Sequence, residues 1–338
     1  ERTYQTQIIP MKNIIKILFL ALTATGFSQQ IDADKSAFAH TFSIVARDAE
    51  TGEMAVAVQS HWFSVGSLVS WGKSGVGVVA TQSFVNPSYG PKGLALMQEG
   101  MSAEAALEQL IAEDEGKAYR QVAFLDVNGN ASAYTGEKCV VYASQITGDN
   151  FSVQANMMLT DQTVPAMAEA FEKYGELPLA ERMVEVLKAA QAAGGDIRGK
   201  QSAALILVGP ELVENPWEEY KINLRVDDHQ NPIEELDRLL KVARAYEYMN
   251  RGDLAVEAGD MPEALKQYGS AETMFPDNLE MKFWKAVAMA NDGQLQKAKP
   301  IFKMIFEHDK NWREMIGRLV KPGLLTVSAS EVAEIQKL

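Results

Sequence analysis

The run Met-Ala-Val-Ala-Val-Gln-Ser at residues 54–60 contains Ala55-Val56-Ala57-Val58, which has no polar residue to turn towards water. A strand with one wet face alternates polar and apolar residues, so a run apolar on both sides must be covered on both sides. Residues 41–47 (TFSIVAR) and 76–81 have the same β-branched, apolar character, and residues 48–53 supply turn chemistry between the first two runs. Such strands require a layered fold, with the sheet inside and helices outside. The chain has 338 residues, 47% of them apolar, which is enough for two modest domains with packed cores.

The later segments follow the same logic. A helix is expected from Ser102, which caps it, with Ala106, Leu107, Leu110 and Ile111 on one face. Residues 121–126 and 131–134 read as strands around Asn128-Gly129, a tight hairpin in which both central residues adopt positive φ. Residues 151–156 form another strand. Residues 164–193 are helical, broken between Gly175 and Pro178 and stopped at Gly194-Gly195. Residues 202–208 and 222–226 close the sheet. Strands and helices in this order, with antiparallel hairpins, fit an α+β layered sandwich over residues 41–231 rather than a doubly wound parallel sheet. No glycine-rich strand-turn-helix phosphate fingerprint is present.

After the polar break at residues 227–232 the pattern is all helical. Gly259-Asp260-Met261-Pro262-Glu263-Ala264-Leu265 and Gly293-Gln294-Leu295-Gln296-Lys297-Ala298-Lys299 start 34 residues apart. Gly252, Gly259, Ala264, Tyr268, Ala271 and Pro276 fit a tetratricopeptide repeat; the second copy keeps Gly293, Ala298 and Phe302 but has Lys310 in place of the proline. Residues 232–338 are therefore expected to form a TPR-like helical domain. It serves either as a groove for a peptide or protein partner or as a buttress or homo-oligomer surface.

Met11, Lys12 and Lys16 precede a short apolar run at residues 17–22, and Gly26 and Ser28 suit cleavage before Gln29. Residues 1–28 are expected to be upstream residues and a secretory signal starting at Met11, residues 29–40 a linker, and the protein periplasmic or secreted. The run is too short to span a bilayer comfortably, and no cysteine follows it, so no stable membrane anchor is expected. The net charge of -13 argues against nucleic-acid binding. The single cysteine, Cys139, excludes an intrachain disulfide and reads as an inert thiol. The four histidines have no zinc-type spacing, and no G-x-S-x-G elbow is present, so neither metal nor cofactor is expected.

Hydroxyl and carboxamide residues gather beside the apolar strands. Thr81-Gln82-Ser83, Asn86 to Pro91, Gln154-Ala155-Asn156 and Asp196 to Ser202 all fall at expected strand ends. Carboxamides there suit an amide substrate or an oxyanion hole. His61, Thr81, Gln82, Asn86, Tyr89, Asn156 and Gln201 are the candidate substrate contacts.

These segments, with Thr41-Phe42-Ser43-Ile44-Val45-Ala46-Arg47-Asp48 and Asn86-Pro87-Ser88-Tyr89-Gly90-Pro91-Lys92-Gly93, resemble the bacterial and archaeal domain of unknown function 1028. The resemblance runs from residue 41 to about 232. It implies a four-layer αββα sandwich like that of the N-terminal-nucleophile (Ntn) hydrolases. In such enzymes the first residue of the mature chain attacks and its own α-amine is the base. The resemblance therefore implies an amide-bond hydrolase with Thr41 as nucleophile, Lys73 and Asp48 as catalytic helpers, and Asn156 or Gln82 as oxyanion donors. Signal cleavage before Gln29 leaves about a dozen residues ahead of Thr41, so a free threonine amine requires a second cut after His40. The alternative is a non-catalytic binder of peptides or cell-wall fragments.

Overall fold

The computed structural model describes residues 37–338. The expected signal segment, and the linker up to residue 36, lie outside the described residues. Eleven strands are present among them: β1 (Ala37–Ala39), β2 (Thr41–Arg47), β3 (Met54–Ser60), β4 (Ser70–Lys73), β5 (Gly77–Val85), β6 (Arg120–Asp126), β7 (Ala131–Thr135), β8 (Ser144–Gly148), β9 (Phe151–Ala155), β10 (Ser202–Val208) and β11 (Ile222–Val226). They form two sheets. One has the order β1-β5-β6-β7 with β4 also on β5; the other runs β11-β10-β3-β2-β9-β8.

Side-chain alternation explains why the apolar strands need cover on both faces. Val45 of β2 points towards the other sheet and shares a core with Val56, Val78, Ala80, Ala123 and Leu125. Its neighbours Phe42, Ile44 and Ala46 point the other way, against helices α3 (Thr163–Lys173) and α4 (Leu179–Ala192). On the far side of the first sheet, Val79, Val122 and Phe124 pack on α1 (Tyr89–Gln98) and α2 (Ala103–Glu113). The layers are helix, sheet, sheet, helix, and β2 and β3 read as apolar on both faces because both are covered.

Asn86 to Ser88 turn into α1, which begins at Tyr89 and accepts Pro91 in its first turn, because the proline lacks only an N–H that has no intrahelical partner there anyway. One local expectation is corrected. In the β6–β7 hairpin only Gly129 has positive φ (86°). Asn128 does not need it, because the Asp126 carboxylate accepts from the backbone N–H of Asn128 (2.9 Å) and Asn130 (3.1 Å) and shapes the turn instead. Ser102 caps α2 as expected, accepting from the Ala105 N–H.

Beyond the second sheet, α5 (Pro232–Glu257) runs for 26 residues. Its first half places Ile233, Leu236 and Leu240 in the sheet–helix core; its second half places Ala245, Met249 and Ala255 in a helical core with Ala264, Tyr268 and Ala271. Those last residues belong to α6 (Met261–Met274), followed by α7 (Leu279–Asn291), α8 (Leu295–His308), α9 (Asn311–Val320) and α10 (Ala329–Gln336). Gly252 lets α5 approach α6: a Cβ there would stand 2.4 Å from the Tyr268 ring. In the second helical pair Ala298 and Phe302 pack with Phe283, Phe306 and Ile316. Arg244 of α5 grips both carboxylate oxygens of Glu181 on α4, at 2.8 and 3.0 Å.

Helix α1 also approaches its sheet closely at Gly93, where a Cβ would lie 2.3 Å from the Phe124 ring. Gly93→Ala is expected to push α1 off the sheet and cost about 1–3 kcal/mol, the usual penalty of overpacking. Urea unfolding, with the midpoint falling and the slope unchanged, is the check.

Candidate active site

The strand register collects the polar residues at one end of the second sheet. Ser202 lies opposite Ser60, Ser60 opposite Thr41, and Phe42 opposite Ala155, which brings Asn156 alongside Thr41. Ser43 of β2 and Gln154 of β9 turn inwards, as do Gln82 of β5 and Gln121 of β6. All are fully buried. Burying an unpaired amide is costly, so these side chains satisfy one another. Gln154 Nε2 donates to Ser43 Oγ (2.6 Å), and Ser43 Oγ donates to Gln82 Oε1 (2.6 Å). Gln82 Nε2 and Asn156 Nδ2 both donate to Gln121 Oε1, at 2.7 and 2.9 Å. Gln121 Nε2 donates to Thr135 Oγ1 (2.8 Å) and to the Ala155 carbonyl (3.0 Å). The Thr41 carbonyl accepts from Gln82 Nε2 (3.2 Å) and from the Asn156 backbone N–H (3.1 Å).

Thr41 itself is fully buried, its hydroxyl donating to the Ala39 carbonyl at 2.7 Å. The peptide oxygen immediately ahead of it, that of His40, accepts from Ser60 Oγ (2.6 Å) and from Arg198 Nη2 (2.9 Å). The Arg198 guanidinium is set by Asp196, whose carboxylate it meets at 2.7 and 3.1 Å. The Asp196 side chain has no exposure and also accepts from the backbone N–H of Arg198 (2.9 Å) and His61 (3.2 Å). A cationic donor and a hydroxyl aimed at one carbonyl oxygen draw electron density from its carbon and stabilise an oxyanion there.

His40 is 3% exposed, its Nδ1 2.7 Å from Asn156 Oδ1 and its ring edge-on to Phe84. Because Oδ1 accepts only, Nδ1 carries the proton in that bond. Burial lowers the imidazole's pKa; the Asn156 bond and nearby Asp196 oppose this, while Arg198 reinforces it. The docked ring is thus neutral.

The structure brings Thr41, Gln82 and Asn156 together and places His61 and Gln201 at the same sheet end. His61 follows β3, and its buried Nδ1 has no hydrogen-bond partner among the described residues. The Gln201 backbone N–H donates to the Ser60 carbonyl (3.1 Å), while its side chain turns out to Asp228. Thr81 faces away from the inter-sheet layer and donates to the Asn86 carbonyl (3.2 Å). Asn86 and Tyr89 line a separate cleft of about 150 Å³. There Asn86 caps Ser88 and the Tyr89 hydroxyl donates to Asp114 (3.0 Å); burial, then Asp114, raises the phenol's pKa and keeps it protonated.

Lys73 and Asp48 are not brought to Thr41. Lys73 pairs with Gly77, five residues along β5 from Gln82, or ~17 Å of strand, and donates to Gln98 (2.8 Å). Asp48 lies past the other end of β2, ~20 Å of strand away, and accepts from the N–H groups of Glu50 and Thr51 in the turn. Cys139 donates to the Arg120 carbonyl (3.3 Å), and burial raises its pKa, so it stays a thiol. His40, Ser60, Gln121, Asp196 and Arg198 are the residues that sequence reasoning left without a role. The available signal was a polar residue at the end of an otherwise apolar strand, clearest at Ser60 and Gln121. Among the described residues no group of three or more His, Cys, Asp or Glu is placed to hold a metal, and no helix is long and apolar enough to cross a membrane.

Residues 41–236 match the profile of the Family of unknown function (DUF1028). A crystal structure of a DUF1028 protein from Silicibacter pomeroyi is 32% identical, with a TM-score of 0.54; the likeness covers 60% of this chain and 89% of that one. No curated protein matches the chain.

Two outcomes are expected. Gln121→Leu removes the acceptor shared by Gln82 and Asn156, at about 1–3 kcal/mol for each buried donor left unpaired, read by urea unfolding. The second concerns pH. The docked His40 titrates below its ordinary value of 6.5, so docking has its full strength above that pH. Below it, the undocked segment gains a proton that the docked ring resists, so docking weakens as pH falls. Limited proteolysis at residues 37–40 should therefore quicken near pH 5 relative to pH 7.5, and His40→Gln should flatten the difference.

Proposed function

The chain belongs to the DUF1028 family, and from its site we propose an amide-bond hydrolase of the Ntn type, made as a precursor in which residues 37–40 still cover Thr41. One observation carries this reading: the His40 carbonyl, next to the buried Thr41 hydroxyl, is held by Ser60 and the Asp196-oriented Arg198. The helix–sheet–sheet–helix layering supports an Ntn-like sandwich, and the start of the family match at Thr41 supports that residue as the mature terminus. We also read the chain as exported through the segment beginning at Met11, and its helical part as TPR-like.

Maturation follows from the same groups. Thr41 Oγ attacks the His40 carbonyl carbon; a C–O bond forms, the C–N bond breaks, and the hydroxyl proton goes to the departing α-nitrogen. Ser60 and Arg198 hold the oxyanion of the tetrahedral stage. Water then cleaves the ester, leaving a carboxylate on His40 and restoring the threonine hydroxyl. The freed α-amine, with an ordinary pKa near ~8, is the base for attack on an external amide. The acyl group passes to Oγ, the leaving amine takes the proton, and a second water releases the acid. Gln82 and Asn156 hold the Thr41 carbonyl and so aim the nucleophile. Lys73 and Asp48 have no part in this scheme.

A second reading, ligand capture by the helical part, is favoured by a cleft of about 390 Å³ lined by Tyr268, Trp284 and Val287. Intact mass and N-terminal sequencing separate the two. The enzyme reading expects a chain starting at Thr41. Thr41→Ala should stay uncut, and Arg198→Ala or Ser60→Ala should be cut about 10²–10³-fold more slowly. A wild-type chain that remains joined at His40–Thr41 and turns over no amide would overturn it.

A further inference from the structure

We infer that residues 37–40 occupy the acyl-side channel of the Thr41 site. The opened site would then take an extended peptide with a small residue next to last and a histidine-like, hydrogen-bonding residue at its carboxyl end. This rests on the proposed hydrolase reading and adds a substrate class to it.

The segment lies as a bound peptide would. β1 adds to the edge of β5 as a strand. β6 takes one edge of β5 from Gly77 to Ser83, and β4 takes the other only as far as Ala80. β1 therefore covers the part of that edge that β4 leaves open. When β1 departs, backbone donors and acceptors are left there that an extended peptide pairs with by strand addition.

The side chains define two subsites. Ala39 has no exposure and sits in the inter-sheet core with Val58, Val65 and Val85, where close packing penalises a larger residue. His40 next to it presents a ring N–H to Asn156 Oδ1 and its edge to Phe84. The chain runs into Thr41 from its carboxyl end, so the groups that hold the His40 oxygen would hold the carbonyl of an incoming acyl group. A peptide ending in a free carboxylate would place that charge against the Arg198 guanidinium.

The test uses full-length chains that all carry Thr41→Ala, so that binding is read without chemistry. One keeps the native segment and the other adds Ala39→Gly and His40→Gly to loosen it. The probe is fluorescein-labelled Lys-Ser-Ala-Phe-Ala-His with a free carboxylate, followed by anisotropy. The loosened chain is expected to bind at least ten-fold more tightly than the chain with the native segment. Leucine at the next-to-last position of the probe should lose at least ten-fold. Arg198→Ala should remove the preference for the carboxylate over the peptide amide.

Equal binding by the two chains, or no discrimination against leucine, would overturn the inference. Should the doubly substituted chain not fold, His40→Gly alone serves. Hydrogen exchange at residues 82–85 should then quicken and be slowed again by the probe; no change overturns the inference equally. The two readings fail separately. A wild-type chain that cuts itself but shows no such binding loses only the peptide assignment, whereas binding without self-cleavage or amide turnover loses only the hydrolase.

Discussion

The inter-sheet layer is not closed by apolar packing alone. Where Val45, Val56 and Val78 meet, the contact is non-directional and tolerates small slips. Where Ser43, Gln82, Gln121, Gln154 and Asn156 meet, each bond has a direction, and a slip leaves several buried amides unpaired at once. The carboxamides therefore fix how one sheet sits on the other. They also grip the Thr41 carbonyl, so the position of the candidate nucleophile is set by the same bonds that set the layer.

That arrangement divides the work around one peptide bond. The carboxamides hold the oxygen after Thr41; Ser60 and Arg198 hold the oxygen before it. Neither set needs to move for the His40–Thr41 peptide to sit in a polarising environment. Asp196 does for Arg198 what burial alone cannot, fixing a long side chain in one geometry with two side-chain contacts and a backbone bond.

Much of this could be read from the chain alone. The strands at residues 41–47, 54–60 and 202–208 were legible because burial on both faces removes polar residues, a signal that survives without any tertiary information. The break in the long helical stretch at Gly175 and Pro178 was legible for the same local reason. Helix α1 was not, because Asn86, Pro87, Ser88, Gly90 and Pro91 are turn formers and only the tertiary contact with Phe124 and Trp71 explains the glycines within the helix. Gln82 and Asn156 stood out as polar residues beside apolar strands. Ser60 ends an apolar strand and Arg198 lies in a polar loop, but their meeting at the His40 carbonyl was not legible, since it depends on strand register and on the path of the loop after α4. Lys73 and Asp48 look plausible in sequence because they are charged and near Thr41 in number, but a strand carries residues away from one another at about 3.3 Å each.

Helix α5 has its own consequence. Its first half is part of the sheet–helix core and its second half part of the helical core, with no loop between them. The family match stops at residue 236, inside that helix. A gene fragment ended there would lose Leu240 from the sandwich and leave a severed amphipathic end in water. The later helices are thus joined to the sheet–helix layers as a continuation of one rod. Any recombination that exchanged them for another module would have to splice in helical phase, keeping the 3.6-residue turn, or lose both cores together.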